Sequence, residues 1–144
     1  MSFASLLLVI LQLLCLAWFL ASGNILADGI LLIVQLSGLG LSLWGAKAMG
    51  LGKFNIEPEV KAEAALIQTG PYRWLRNPMY AGLLLFFGAV AASNPSLPIL
   101  VSFLVLALVL LLKIRLEERF LAERFPGSFE DYKKRTYRLI PFIF

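Results

Sequence analysis

Residues 79–114 read MYAGLLLFFGAVAASNPSLPILVSFLVLALVLLLKI, two apolar runs (Met79 to Ala92 and Ile99 to Ile114) joined by the uncharged turn Ser93-Asn94-Pro95-Ser96-Leu97-Pro98. Runs of this kind, free of charge until Lys113, read as membrane helices. A turn so short, with Pro98 opening the second helix, makes the two helices pair antiparallel. The hairpin therefore begins and ends on one membrane face. Whatever precedes Met79 is brought to whatever follows Lys113.

Working outward, two further apolar runs, Phe3 to Ala21 and Ile30 to Ala46, have the length of a full span, whereas Met79 to Ala92 and Ile99 to Ile114, at 14 and 16 residues, fall short of it. About 20 residues are needed to cross hydrocarbon, so the hairpin must be thinned, buried against neighbours, or extended by interfacial residues. Hydrophobic side chains make up 60% of the 144 residues and charged ones 15%, with a mean hydropathy of +0.83. A soluble core of that size cannot hide so much apolar surface. The expected fold is all-α: one polytopic membrane domain over 1–144, with four transmembrane helices (3–21, 30–46, 79–92 and 99–114), a C-terminal helical hairpin and an amphipathic tail.

The 13 Lys and Arg residues orient it. None lies before Lys47, in Ala21 to Gly29 or in Ser93 to Pro98; they fall at Lys47, Lys53, Lys61, Arg73 and Arg76, and then from Lys113 onward. The positive-inside rule makes the middle segment and the tail cytoplasmic, with both termini inside a bacterial inner membrane or its equivalent. No basic residue precedes the first apolar run, so a retained span is expected in place of a cleaved signal. Cys15 is alone and histidine is absent, which argues against disulfide, haem, zinc or other metal chemistry. The net charge of +4 reflects basic segments at a membrane surface and calls for no nucleic acid.

Span two carries Ser37, Gly38, Gly40, Ser42 and Gly45, small residues that let helices approach closely. Gln12 and Gln35 are expected to bond between helices, with a cavity-facing Gln35 as the alternative. Glu57-Pro58-Glu59 is suited to open a helix, with Val60 to Ile67 a short interfacial one. Asn77 is expected to cap the helix that Pro78 begins. In the tail, a turn at Pro126-Gly127 precedes a basic amphipathic stretch, and Ile140-Pro141-Phe142-Ile143-Phe144 is expected to lie back on the membrane surface.

The densest polar and aromatic punctuation is Gly70-Pro71-Tyr72-Arg73-Trp74-Leu75-Arg76-Asn77-Pro78-Met79-Tyr80-Ala81-Gly82. Singly these residues have plain readings: a turn at Gly70-Pro71, a snorkelling Arg76, an aromatic belt at Tyr72, Trp74 and Tyr80. Glu117-Glu118 alone is a solvated helix exit, with Glu117 one turn from Lys113. Together, returned to one face by the hairpin, they form a polar cluster at a membrane edge, where charge is rarely kept without a use.

The string Leu66-Ile67-x-x-Gly70-Pro71-Tyr72-x-x-x-Arg76-Asn77-Pro78-x-Tyr80-x-Gly82, then Glu117-Glu118-x-x-Leu121-x-x-x-Phe125, Tyr132-Lys133-Lys134-Arg135 and Pro141, resembles the isoprenylcysteine carboxyl methyltransferase and phospholipid methyltransferase family. The likeness covers residues 57 to 144. It implies S-adenosylmethionine as cofactor, held at the cytoplasmic face by segments 64–82 and 113–142, and a lipophilic acceptor arriving from the bilayer. By matching position, Leu66, Ile67, Tyr72, Asn77, Pro78, Met79, Tyr80 and Glu117 would line the cofactor site and Lys113 would meet the acceptor; Arg138 is expected to join Lys113 there. Lys113 stands where prenylcysteine enzymes have Arg, replacing a bidentate fork with a point charge; Asn77 stands in place of the more usual His.

No catalytic acid or base is assigned. Methyl transfer is an in-line displacement that alignment and exclusion of water can drive, and without histidine a carboxylate or thiolate acceptor, needing no base, is favoured over an amine. Glu117 is expected to bind the cofactor's cations, with Arg76 or Asn77 serving its carboxylate. Glu118, about 100° further round the helix, is expected to face water or a basic residue. Two rival readings are an NADPH-dependent membrane reductase relative and a non-catalytic packing or assembly protein.

Overall fold

The computed structural model describes residues 3–50 and 66–144. These form α1 (Phe3–Ala21), α2 (Ile30–Met49), a 3-10 turn (Gly70–Arg73), α3 (Pro78–Ser93), α4 (Leu97–Arg124) and α5 (Ser128–Lys134). The helix opening expected at Glu57-Pro58-Glu59, and most of the interfacial helix over Val60 to Ile67, lie outside the described residues; Leu66 and Ile67 themselves are irregular.

Helices α1, α2 and α4 are long and apolar enough to cross a membrane. At 16 residues α3 is shorter, about 24 Å at 1.5 Å per residue against about 30 Å of hydrocarbon. The fourth helix is longer than its apolar run predicts: α4 does not stop at Ile114 but continues to Arg124, 28 residues in all, or about 42 Å. Between those positions stand good helix formers and no breaker, and Pro126-Gly127 comes only afterwards. One helix thus carries a span and, beyond it, a polar shaft of several turns.

Helices α2 and α3 run antiparallel in very close contact. A Cβ added to Gly38 would lie 2.6 Å from the Gly82 carbonyl oxygen and 2.8 Å from the Phe86 nitrogen, and one on Gly45 would lie 2.8 Å from Met79 Cγ. Ser42 Oγ donates to the Met79 carbonyl at 3.1 Å. Of the small residues expected to pack, Gly38, Ser42 and Gly45 do so, while Gly40 faces open space and Ser37 is exposed and bonds to Ile33 of its own helix.

Helix α1 lies antiparallel along α4. Cys15, Phe19, Ile99, Leu106 and Leu110 form a buried cluster with Phe87, Val90 and Ala91 of α3, and the Phe19 and Phe87 rings approach to 4.7 Å. Leu13, Leu14, Leu104 and Leu108 stay on the outside, as lipid contact requires. At one end of the bundle Gln35 clamps the α1–α2 loop, accepting from Ala27 N at 2.9 Å and donating to the Ile25 carbonyl at 2.6 Å. Its partners are loop backbone groups, not another helix. At the opposite end the start of α3 meets the polar shaft of α4 and the tail.

Candidate functional site

The turn that opens the site needs a glycine. Gly70 has φ +57°, and a Cβ there would meet Ala48 Cβ at 3.0 Å and Trp44 Nε1 at 3.3 Å, so an L side chain would be strained by conformation and by space together. Pro71 follows and is buried with Tyr72. The turn rests on α2, with Trp44 and Trp74 edge to face at 6.1 Å.

Across this end, Tyr80 Oη donates to Glu117 Oε1 at 2.5 Å. Lys113 Nζ lies 5.3 Å from the centroid of the same tyrosine ring and donates to Gln12 Oε1 at 2.7 Å. Lys113 is 1% exposed, so this ammonium is held inside the bundle by α1, α3 and α4 together. Tyr72 belongs to the same cluster: burial first, then the Glu117 carboxylate and Tyr132, push its phenol well above the ordinary tyrosine range. It therefore stays protonated and neutral.

A second polar knot lies beside the first. Glu118 accepts from Arg76 Nε at 2.8 Å through Oε1 and from Arg138 Nη2 at 2.6 Å and Nε at 3.1 Å through Oε2. Arg76 also donates to the Thr136 carbonyl at 2.5 Å. Backbone bonds fasten the same strands of chain, Arg76 N to the Tyr137 carbonyl at 2.7 Å and Tyr137 N to the Trp74 carbonyl at 2.8 Å, forming a parallel bridge between Leu75 and Tyr137. Tyr132 Oη donates to the Tyr72 carbonyl at 2.7 Å. The tail after α5 is thereby strapped over the Tyr72 to Asn77 loop.

Of the residues picked out by sequence, Tyr72, Tyr80, Glu117 and Lys113 converge. Pro78 is buried at the start of α3 and Met79 is tied to α2 through Ser42, while Leu66 and Ile67 are half-buried. Asn77 occupies the N-cap position of α3 without a side-chain capping bond; its Nδ2 donates to the Arg138 carbonyl at 3.1 Å instead. The tail's approach wins over the cap. Arg138 meets Glu118, with its guanidinium carbon 5.1 Å from the Phe144 ring centroid. Glu118 was expected to face water or a basic residue; it is buried between two arginines. Gln12 was expected to bond between helices and does so, but its partner is the site lysine.

A profile described as phospholipid methyltransferase matches residues 25–128. Protein-S-isoprenylcysteine O-methyltransferase of Saccharomyces cerevisiae is 32% identical over 92 residues, which is 61% of this chain and 37% of the yeast protein. The chain thus aligns with well under half the length of that relative. The profile match takes in the Tyr72 to Tyr80 segment, Lys113 and Glu117, and leaves out α1 and Arg138.

Proposed function

The chain belongs to the phospholipid methyltransferase family, and from that premise we propose that it transfers a methyl group from S-adenosylmethionine to a lipophilic or small acceptor, a carboxylate or thiolate in preference to an amine, at the cytoplasmic face of the membrane. The observation that carries this reading is the meeting of Tyr80, Glu117 and Lys113 across the hairpin, with Tyr80 Oη 2.5 Å from Glu117 and Lys113 Nζ over the Tyr80 ring. The topology proposed with it has four spans and both termini in the cytoplasm, following the distribution of Lys and Arg. Helix α3 then crosses a stretch where close packing on α2 compensates for its shortness.

The acidic and aromatic groups suit the cofactor's cations, whereas Arg76 and Asn77, expected to serve its carboxylate, are bonded to Glu118 and to the Arg138 carbonyl. When bound, S-adenosylmethionine supplies an electrophilic methyl group on a sulfonium, alongside an ammonium and a carboxylate. Glu117, oriented by Tyr80, offers a carboxylate for cationic groups. Tyr80 already presents a ring face to one cation, Lys113, and the Tyr72 and Tyr80 rings suit a sulfonium in the same way. Leu66, Ile67, Pro78 and Met79 supply apolar lining that excludes water and strengthens these electrostatic contacts. Asn77 fixes the tail against the loop and so holds the wall in place. Lys113 gives an anionic acceptor its counter-charge, while Arg138, expected to join it, is taken up by Glu118, and the residues act by alignment without moving a proton.

Adding methyl-labelled cofactor to native membranes with and without this protein tests the reading. A labelled product that depends on the protein is expected. Identical labelling in both membranes, together with no binding of the cofactor by the purified protein, would overturn it.

A further inference from the structure

The profile match begins at residue 25, yet α1, which ends at Ala21, reaches into the site through one side chain. Gln12 stands among Leu11, Leu13 and Leu14 in an apolar helix, where an amide is costly unless its hydrogen bonds are made. It meets the buried ammonium of Lys113, 101 positions later in the chain, at 2.7 Å. An ammonium only donates, so the amide must present its carbonyl oxygen to Nζ and carry its NH2 on the other arm of the same plane. The result is two donor groups on one hydrogen-bonded pair, a charged one beside the Tyr80 ring and a neutral one on the far arm of the amide.

We propose that Gln12 is an acceptor-recognition residue: with its carbonyl holding Lys113, its NH2 adds a second donor, and the pair takes the two oxygens of a carboxylate on the methyl acceptor. This deepens the methyltransferase reading and rests on it. A single ammonium on a four-carbon stem is a point charge with little angular preference. The amide beside it adds direction, so that one oxygen can be held toward the transferable methyl group. A carboxylate oxygen keeps a lone pair for attack while accepting a hydrogen bond. The oxygen forms the new O–CH3 bond as the C–S bond breaks, the electron pair stays on sulfur, the sulfonium becomes a neutral thioether, and no proton moves. Neither Lys113 nor Gln12 has to change protonation state.

The test uses the full chain in nanodiscs, with calorimetric affinity for the demethylated cofactor, S-adenosylhomocysteine, measured first for every variant. Methyl-labelled cofactor is then offered with three acceptors: an S-prenylated cysteine with a free carboxylate, its carboxamide, and a phosphatidylethanolamine. The carboxylate is expected to be methylated and the carboxamide is not. Gln12→Leu should raise the acceptor KM at least tenfold and lower kcat at saturation as well, since orientation is lost with affinity, while cofactor affinity stays unchanged. Gln12→Glu, which keeps Lys113 paired and the helices joined, should raise it further by neutralising the ammonium. An acceptor KM within twofold of the parent in both variants would overturn the role of Gln12, as would methylation of the phosphatidylethanolamine alone or of none of the three by a protein that binds cofactor. Failure of the parent protein to bind cofactor would instead overturn the methyltransferase reading beneath it.

Discussion

Glu118→Gln is the sharpest perturbation the structure suggests, because one carboxylate holds the tail to the loop. Its side chain is 11% exposed, and those of Arg76 and Arg138 are 12% and 28% exposed. The substitution keeps the shape and one carbonyl oxygen, but turns an NH2 toward a guanidinium and leaves two cations facing each other. Removing one partner of a buried ion pair costs about 3–5 kcal/mol, and the partial exposure of Arg138 favours the lower end. The cost falls on the strap and not on the bundle, since the core of α1, α3 and α4 is built from other residues. A loss of about 3 kcal/mol is about a hundredfold in the opening equilibrium. Amide hydrogen exchange in nanodiscs should therefore speed up by about that factor at Arg76 and Tyr137, the two amides of the bridge, with the central turns of α4 unchanged. Glu130→Gln breaks a 2.9 Å pair with Lys133 whose members are 56% and 36% exposed, and should change nothing measurable. Exchange at Arg76 and Tyr137 within threefold of the parent protein would refute the clamp.

Glu117→Gln should weaken cofactor binding by about 1.5–3 kcal/mol, the worth of a charge-assisted hydrogen bond, as read by calorimetry on folded protein; an unchanged affinity would make Glu117 a helix-end carboxylate serving only Tyr80. S-Adenosylmethionine or S-adenosylhomocysteine at a hundredfold excess over its dissociation constant should stabilise the purified protein by about 2.7 kcal/mol, and NADPH should not; thermal shifts in the reverse order would favour the reductase alternative. Gly82→Ala places a Cβ against Ser42 Oγ and the Gly38 carbonyl oxygen, an overpacking worth about 1–3 kcal/mol, whereas Gly40→Ala meets nothing within 4 Å and should leave the melting temperature in detergent where it was.

What the sequence made legible follows from the range of the interactions involved. The apolar runs, the turn at Ser93 to Pro98 and the proline at the head of α3 are local features, and α1, α3 and the hairpin appear close to where they were read. The end of α4 was misplaced because hydropathy marks where apolar residues stop, not where a helix stops; only a breaker does that, and the first one comes at Pro126. The fate of Asn77 was beyond local reasoning, since capping competes with a carbonyl 61 positions away. Glu118 draws its partners from 42 positions upstream and 20 downstream. Helical phase turns Glu118 toward water or a basic residue, but nothing in a charge pattern says which arginines it meets.

The division of labour between those glutamates is a matter of helical phase. Residues 113 and 117 are separated by about 40° round α4, whereas 118 is about 140° from 113. Lys113 and Glu117 therefore look toward α1 and α3, where Gln12 and Tyr80 receive them, and Glu118 looks toward the tail, where Arg76 and Arg138 close on it. Had α4 ended with its apolar run at Ile114, neither carboxylate would have had a rigid support, and each would have paid rotamer and backbone entropy to find its partners. Continuing the helix past its apolar run fixes both directions at once. The length of α4 beyond hydrocarbon thickness is thus what joins a buried charged group inside the bundle to a strap outside it. Loosening the strap should move Glu117 hardly at all, because its position depends on the α3–α4 hairpin and on Tyr80.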